Sequence, residues 1–163
     1  MMRLYHGSNM SLDKPDFRFC KPFKDFGKGF YLSDDYDQAL ELGAQRVRQT
    51  DEGTPTVTSF LFDENILYGT EFKVLIFNDY SEDWVRFVLD NRDRNLQHPI
   101  HDYDIVYGPI ADDGVSFQLR RYRRGVIKTL PDLIEELKFG KGITFQYFFG
   151  TQRALDKLVK ICD

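Results

Sequence analysis

The stretch KDFGKGFYLSDD, Lys24 to Asp35, decides how this chain is read. Alternation puts Phe30 and Leu32 on one face of a short strand and Tyr31 and Ser33 on the other. Ser33 is then expected to cap a helix, with Asp34 and Asp35 at the positive end of its dipole. Tyr36, Ala39, Leu40, Gly43, Ala44 and Val47 follow the i, i+3, i+4, i+7 spacing of an amphipathic helix. Gly27 and Gly29 crowd the start of the strand. They mark either an ordinary turn or a backbone that lies against a bound molecule.

The segments around this unit give the fold class. In RLYHGS, Leu4, His6 and Ser8 alternate against Tyr5 and Gly7, which predicts an N-terminal strand. Residues 10–26 lack a period, contain Pro15 and Pro22, and read as a long loop of the functional kind. TVTSFLFD and EFKVLIF are β-rich. Ser81 is expected to cap a helix carrying Trp84, Val85, Val88 and Leu89. YDIVYGPIADD reads as a buried strand ending in an acidic turn, and SFQLRRYRRG as an edge strand. Thr129 and Asp132 form a capping box ahead of Leu130, Leu133, Ile134 and Leu137. ITFQYFF is a strand, and Thr151 caps a last helix through Ala154, Leu155, Leu158 and Val159. Strands outnumber helices and no βαβ alternation appears, so the class is α+β with mainly antiparallel sheets.

Composition narrows the function classes. The length of 163 residues suits one domain, 1–163, and 42% hydrophobic residues can build a core without cross-links. Aromatics reach 15%, enough to line a cleft as well as a core. A net charge of -4 argues against a strongly basic nucleic-acid binder, a local patch aside. Cys20 and Cys162 are too few for a disulfide scaffold, which points to a reduced, cytoplasmic setting. No signal-peptide pattern opens the chain, and no run approaches the roughly 18 apolar residues of a membrane helix.

Three predicted strands carry a polar residue where an apolar one is the default: His6, Tyr31 and Gln146. As neighbours they would bring an imidazole, a ring face and a carboxamide to one cleft. Taken singly, each also fits ordinary packing or a satisfied core hydrogen bond.

Together, LYHGS and DFGKGFYLS with the following QAL helix resemble the ADP-ribosyltransferase superfamily, in the branch whose motif is His-Tyr-Glu. LYHGSN, DFGKGFYLS, DIVYGPIADD and QYFFGTQRAL are more closely similar to a small bacterial family placed in that superfamily, found beside small partner proteins in toxin–antitoxin-like pairs. The resemblance spans Leu4 to Leu158. It implies two small sheets forming a split NAD cleft, with NAD as co-substrate, a macromolecular acceptor of protein or nucleic acid, and a small antitoxin as a candidate partner. His6 would hold the adenosine-side ribose, and Gly7 would pair its backbone with the carboxamide. Tyr31 would stack on nicotinamide. Ser8, Gly29 and Ser33 would complete the NAD contacts. Leu42 falls where a second stacking tyrosine sits in poly(ADP-ribose) polymerases, with Phe23 or Phe26 as substitutes.

The resemblance departs at its third position, where the usual glutamate appears as Gln146. A carboxamide can hold a ribose hydroxyl but cannot be a general base. Three routes stay open. The acceptor is nucleophilic enough alone; another carboxylate serves, Asp112 or Asp113 being candidates against a plain solvated turn; or the site binds NAD without turnover. The first two describe a mono-ADP-ribosyltransferase with Gln146, Tyr31 and His6 as its catalytic set. The third describes a non-catalytic module for NAD, ADP-ribose or a partner.

Other features carry less. Lys28 could reach a pyrophosphate, although a solvated turn lysine is the plainer reading, and no Walker pattern surrounds it. Arg120, Arg121, Arg123 and Arg124 around Tyr122 could grip a phosphate backbone or guard an edge strand. His98 and His101 beside Asp102 and Asp104 have partial zinc spacing, but Pro99 breaks the alignment and no third ligand stands out. No metal site is expected.

Overall fold

The computed structural model describes residues 1–140 and 142–162. Among them the chain is α+β, with two mostly antiparallel sheets and five helices. Strand β1 (Met2–Ser8) pairs with β3 (Thr56–Phe62), which pairs with β7 (Val159–Ile161), all antiparallel. The second sheet has the order β2 (Phe30–Leu32), β6 (Phe145–Phe149), β5 (Ile105–Pro109), β4 (Val74–Ile76). Its only parallel pairing among these residues is β4 with β5. A single antiparallel bridge, Tyr5 to Ser33, ties β1 to the end of β2 through two backbone bonds of 2.7 and 2.9 Å.

Strand alternation sorts side chains into two cores. Phe30 and Leu32 of β2 and Tyr147 and Phe149 of β6 join Leu4, Phe60, Phe62 and Ile105 in the core shared by the two sheets. Phe148 and Val106 point the other way. They pack with Trp84, Val85 and Val88 of α2 (Glu82–Asn91), Val115 and Leu119 of α3 (Asp113–Arg123), and Leu133 and Leu137 of α4 (Leu130–Lys138). Tyr31 belongs to this second side, opposite Phe148 in the ladder, and Gln146 shares it two residues along. Trp84 is fully buried, and its indole N–H donates to the Pro109 carbonyl at 3.1 Å.

Three expectations change. SFQLRRYRRG supplies most of α3 and is not an edge strand: Asp112 caps the helix by accepting from the Val115 N–H, and Val115 and Leu119 form its buried face. Helix α1 (Tyr36–Thr50) is capped by Asp35, which accepts from the Gln38 N–H, because Ser33 is held by its bridge to Tyr5. Helix α5 (Gln152–Leu155) is a single turn capped by Thr151, and Val159 starts β7. The Ser81 and Thr129 caps form as predicted. No helix among the described residues is long and apolar enough to cross a membrane.

Candidate functional site

A cleft of about 810 Å³ opens between β1, β2, α1 and the loop over 10–29. His6, Tyr31 and Gln146 all line it, as do Gly7, Ser8, Gly29 and Ser33. The three strands thus bring their polar residues to one space, because β1 bridges β2 and β2 pairs with β6.

His6 is fixed on two sides. Its ring stacks on Phe30, with centroids 4.2 Å apart. Its Nδ1 lies 2.8 Å from the Tyr31 carbonyl, an acceptor only, so Nδ1 carries the proton and Nε2 keeps its lone pair. Burial pushes the imidazole down to about 4, against the upward pull of that hydrogen bond. His6 is therefore a neutral acceptor at physiological pH.

Tyr31 is equally constrained. Its hydroxyl donates to the Gly27 carbonyl at 2.7 Å and accepts from the Phe26 N–H at 3.0 Å. Burial, then the nearby Asp25, holds the phenol well above its ordinary range, so it stays protonated. With the hydroxyl committed, the ring is what it offers the cleft. Lys24 Nζ lies 5.8 Å over the ring centroid, within cation–π range.

The glycines serve packing on their Cβ side. A Cβ on Gly7 would sit 1.7 Å from the Ala39 carbonyl oxygen of α1, and one on Gly29 would sit 2.1 Å from the Phe148 ring. Gly27 has φ 91°, which disfavours any other residue. Gly7 and Gly29 still face the cleft with backbone, but their small size is required by the helix and strand behind them.

The loop supplies what the strands do not. Phe26 is fully buried in the core, so of the two proposed substitutes only Phe23 lines the cleft. Phe23 has φ 64°, a strained value for a bulky residue and of the kind concentrated at functional sites. Arg94 lies 5.3 Å over its ring. Leu42 lines the cleft from α1. Lys28 stands 4.7 Å over the Phe17 ring and is not among the lining residues, whereas Lys24 is.

The cleft is positive although the chain is acidic. Lys14, Lys21, Lys24, Arg46, Arg92 and Arg94 line it, against Asp16 and Asp25. Asp16 is paired with Arg18 and Asp25 with Arg92. Burial, then repulsion from Arg46 and Lys21, lowers Lys24. Like charges gathered in a concave, partly dry space favour an anionic ligand.

Of the two carboxylates lining the cleft, the one that meets Gln146 is Asp25, which sequence reasoning missed. It accepts from Arg92 Nε at 2.8 Å and from Arg92 Nη2, from the Ala111 N–H at 3.0 Å, and from Gln146 Nε2 at 3.1 Å. Asp112 and Asp113 lie at the start of α3 and do not line the cleft. The only sequence signal for Asp25 was its place in DFGKG, beside the motif. His101 is tied into the fold: its Nε2 donates to the Phe26 carbonyl at 2.7 Å and its Nδ1 accepts from the Tyr103 N–H at 3.1 Å. No group of three or more His, Cys, Asp or Glu that could hold a metal occurs among the described residues. Cys20 is half-buried and Cys162 exposed, and both are free thiols.

A family model described as protein of unknown function (DUF3990) matches residues 2–160, and the chain belongs to that family. No curated protein and no solved structure matches it.

Proposed function

We propose that this protein is an NAD-dependent mono-ADP-ribosyltransferase acting on a macromolecular acceptor, protein or nucleic acid. What supports the reading is one observation: His6, Tyr31 and Gln146, the residues that carry the resemblance to the His-Tyr-Glu branch, border a single cationic cleft. A neutral imidazole lone pair suits a ribose hydroxyl, and an aromatic face suits a nicotinamide ring. The Lys21, Lys24 and Arg46 group suits a pyrophosphate. Lys24 would leave the Tyr31 ring as nicotinamide stacks there, and the adjacent phosphate would receive its charge. Phe23 would cover the ring from the other side.

In the reaction the bond between ribose C1′ and the nicotinamide nitrogen breaks, and its electron pair leaves with neutral nicotinamide. The acceptor's lone pair forms the new bond to C1′, and the acceptor's proton passes to solvent. Gln146 would hold the ribose nearest the reacting carbon without taking that proton.

The test is release of labelled nicotinamide by the purified protein, with and without a bacterial lysate. His6→Ala and Tyr31→Ala should abolish release while far-UV circular dichroism stays native. NAD binding without release under any condition would favour a second reading, a non-catalytic NAD or ADP-ribose module. Gln146, which cannot act as a base, is the observation behind that reading. Growth arrest on expression, relieved by Tyr31→Ala, would support a toxin with a small antitoxin partner.

A further inference from the structure

We infer that Asp25 is a positioning residue that sets the orientation of the Gln146 carboxamide, so that its Oε1 is offered to the ligand as a hydrogen-bond acceptor. With NAD in the cleft, the reading on which this rests, the group that donates to Oε1 is the ribose hydroxyl nearest the scissile bond.

The chemistry of the pair fixes the orientation. An ionised carboxylate only accepts hydrogen bonds, so the end of the amide that faces Asp25 Oδ2 at 3.1 Å must be the NH₂ group. The carbonyl oxygen is then the atom left for a ligand in the cleft that Gln146 lines. Asp25 is itself held by Arg92, from the end of α2, and by the Ala111 backbone, which follows β5. Three separate elements thus converge on one carboxylate, and Gln146 borders the cleft from the central strand β6, beside Asp25, Arg92 and Ala111.

The arrangement makes sense of a glutamine at a glutamate position. With Asp25 in place, a glutamate at this position would set two carboxylates about 3 Å apart, and one would have to hold a proton. Here the charge sits on the loop, at Asp25, and the neutral acceptor sits on the strand, at Gln146.

The experiment compares four proteins: wild type, Asp25→Asn, Gln146→Glu and the double variant Asp25→Asn/Gln146→Glu. Nicotinamide release and NAD affinity are followed from pH 5 to 8.5. Asp25→Asn should lower release by about 10- to 100-fold, the loss expected when a hydrogen bond to a charged group is weakened. Gln146→Glu should be most impaired at high pH, where both carboxylates ionise, and should recover as pH falls. The double variant should regain activity lost by Gln146→Glu and lose the pH dependence. Equal or additive loss in the double variant, with no change of pH profile, would overturn the assignment.

A second measurement needs no NAD. In Gln146→Glu the forced dyad raises the folded-state pKa of the introduced carboxyl above its unfolded value. The melting temperature of this variant should therefore fall relative to wild type as pH rises from 5 to 8. The double variant should not show this fall. Absence of the fall would refute the pairing directly. If the fall appears but the wild type neither binds nor cleaves NAD, the NAD reading and the ribose assignment fail together, and the acid–amide pair alone survives.

Discussion

Asp25 and Asp104 are the same chemistry used at two ends of one sheet. Each carboxylate is largely buried, each pairs with an arginine, and each takes a further side-chain donor. Around Asp104 the circle is closed by structure alone. It accepts from Thr151 at 2.6 Å, from Arg153 and from the Lys73 N–H, and its carbonyl accepts from the Gly150 N–H. These bonds tie the entry of β5 to the segment before β4 and to the turn into α5. Burial alone would raise Asp104, but the bonds from Arg153, Thr151 and Lys73 outweigh it and hold the carboxyl below its usual range. Around Asp25 the circle includes Gln146, which borders a cavity. A clamp becomes a site when one of its members faces open space with an atom to spare.

The contrast can be broken from the Asp104 side first. Asp104→Ala should cost about 3 kcal/mol, since it leaves the Thr151 hydroxyl proton and the Lys73 N–H without an acceptor. Urea unfolding measures this, and NAD affinity should change by less than about twofold. An equal loss of affinity would mean that the two clamps are not separate.

Next in size is a pH effect specific to the cleft. His6 has its folded pKa depressed to about 4, so unfolding takes up a proton as pH falls below the unfolded value near 6.5. Stability is complete above that value and declines toward pH 4, by about 2 kcal/mol at pH 5. His101, also lowered by burial, adds to the slope. In His6→Gln the decline between pH 6.5 and 5 should be visibly shallower by thermal melting. An unchanged slope would show that His6 is not buried as described.

Tyr31→Phe comes third. It keeps the ring but strips the Phe26 N–H and the Gly27 carbonyl of their partner, for about 1.5 kcal/mol. Amide exchange at Phe26 should quicken, and nicotinamide release should survive better than in Tyr31→Ala. The smallest effect belongs to Asp102→Asn, beside Asp104 but in an exposed ion pair with Lys73. Its melting temperature should match wild type, as for most surface ion pairs.

Much of this was legible in local pattern. Alternation gave β1 and β2, and apolar runs gave β5 and β6; the shared face of Tyr31 and Gln146 followed only once β2 was seen to pair with β6. The caps at Ser81, Thr129 and Thr151 were readable because a side chain three residues from its target N–H needs only local geometry. Helix α3 was misread because four arginines masked the i, i+4 step from Val115 to Leu119. The cap of α1 was misplaced by two residues because the competing partner of Ser33, Tyr5, lies far away in sequence. Phe23 and Phe26 were indistinguishable in an aperiodic loop, yet one sits in the cleft and the other in the core.

By itself the sequence determined the α+β class and the three polar residues that interrupt apolar strands, because both follow from spacing along the chain. Only the tertiary structure decided which carboxylate meets Gln146, why Gly7 and Gly29 must be small, and where the positive charge of an acidic protein collects. Those outcomes depend on contacts between residues up to 121 positions apart, and no local period encodes them.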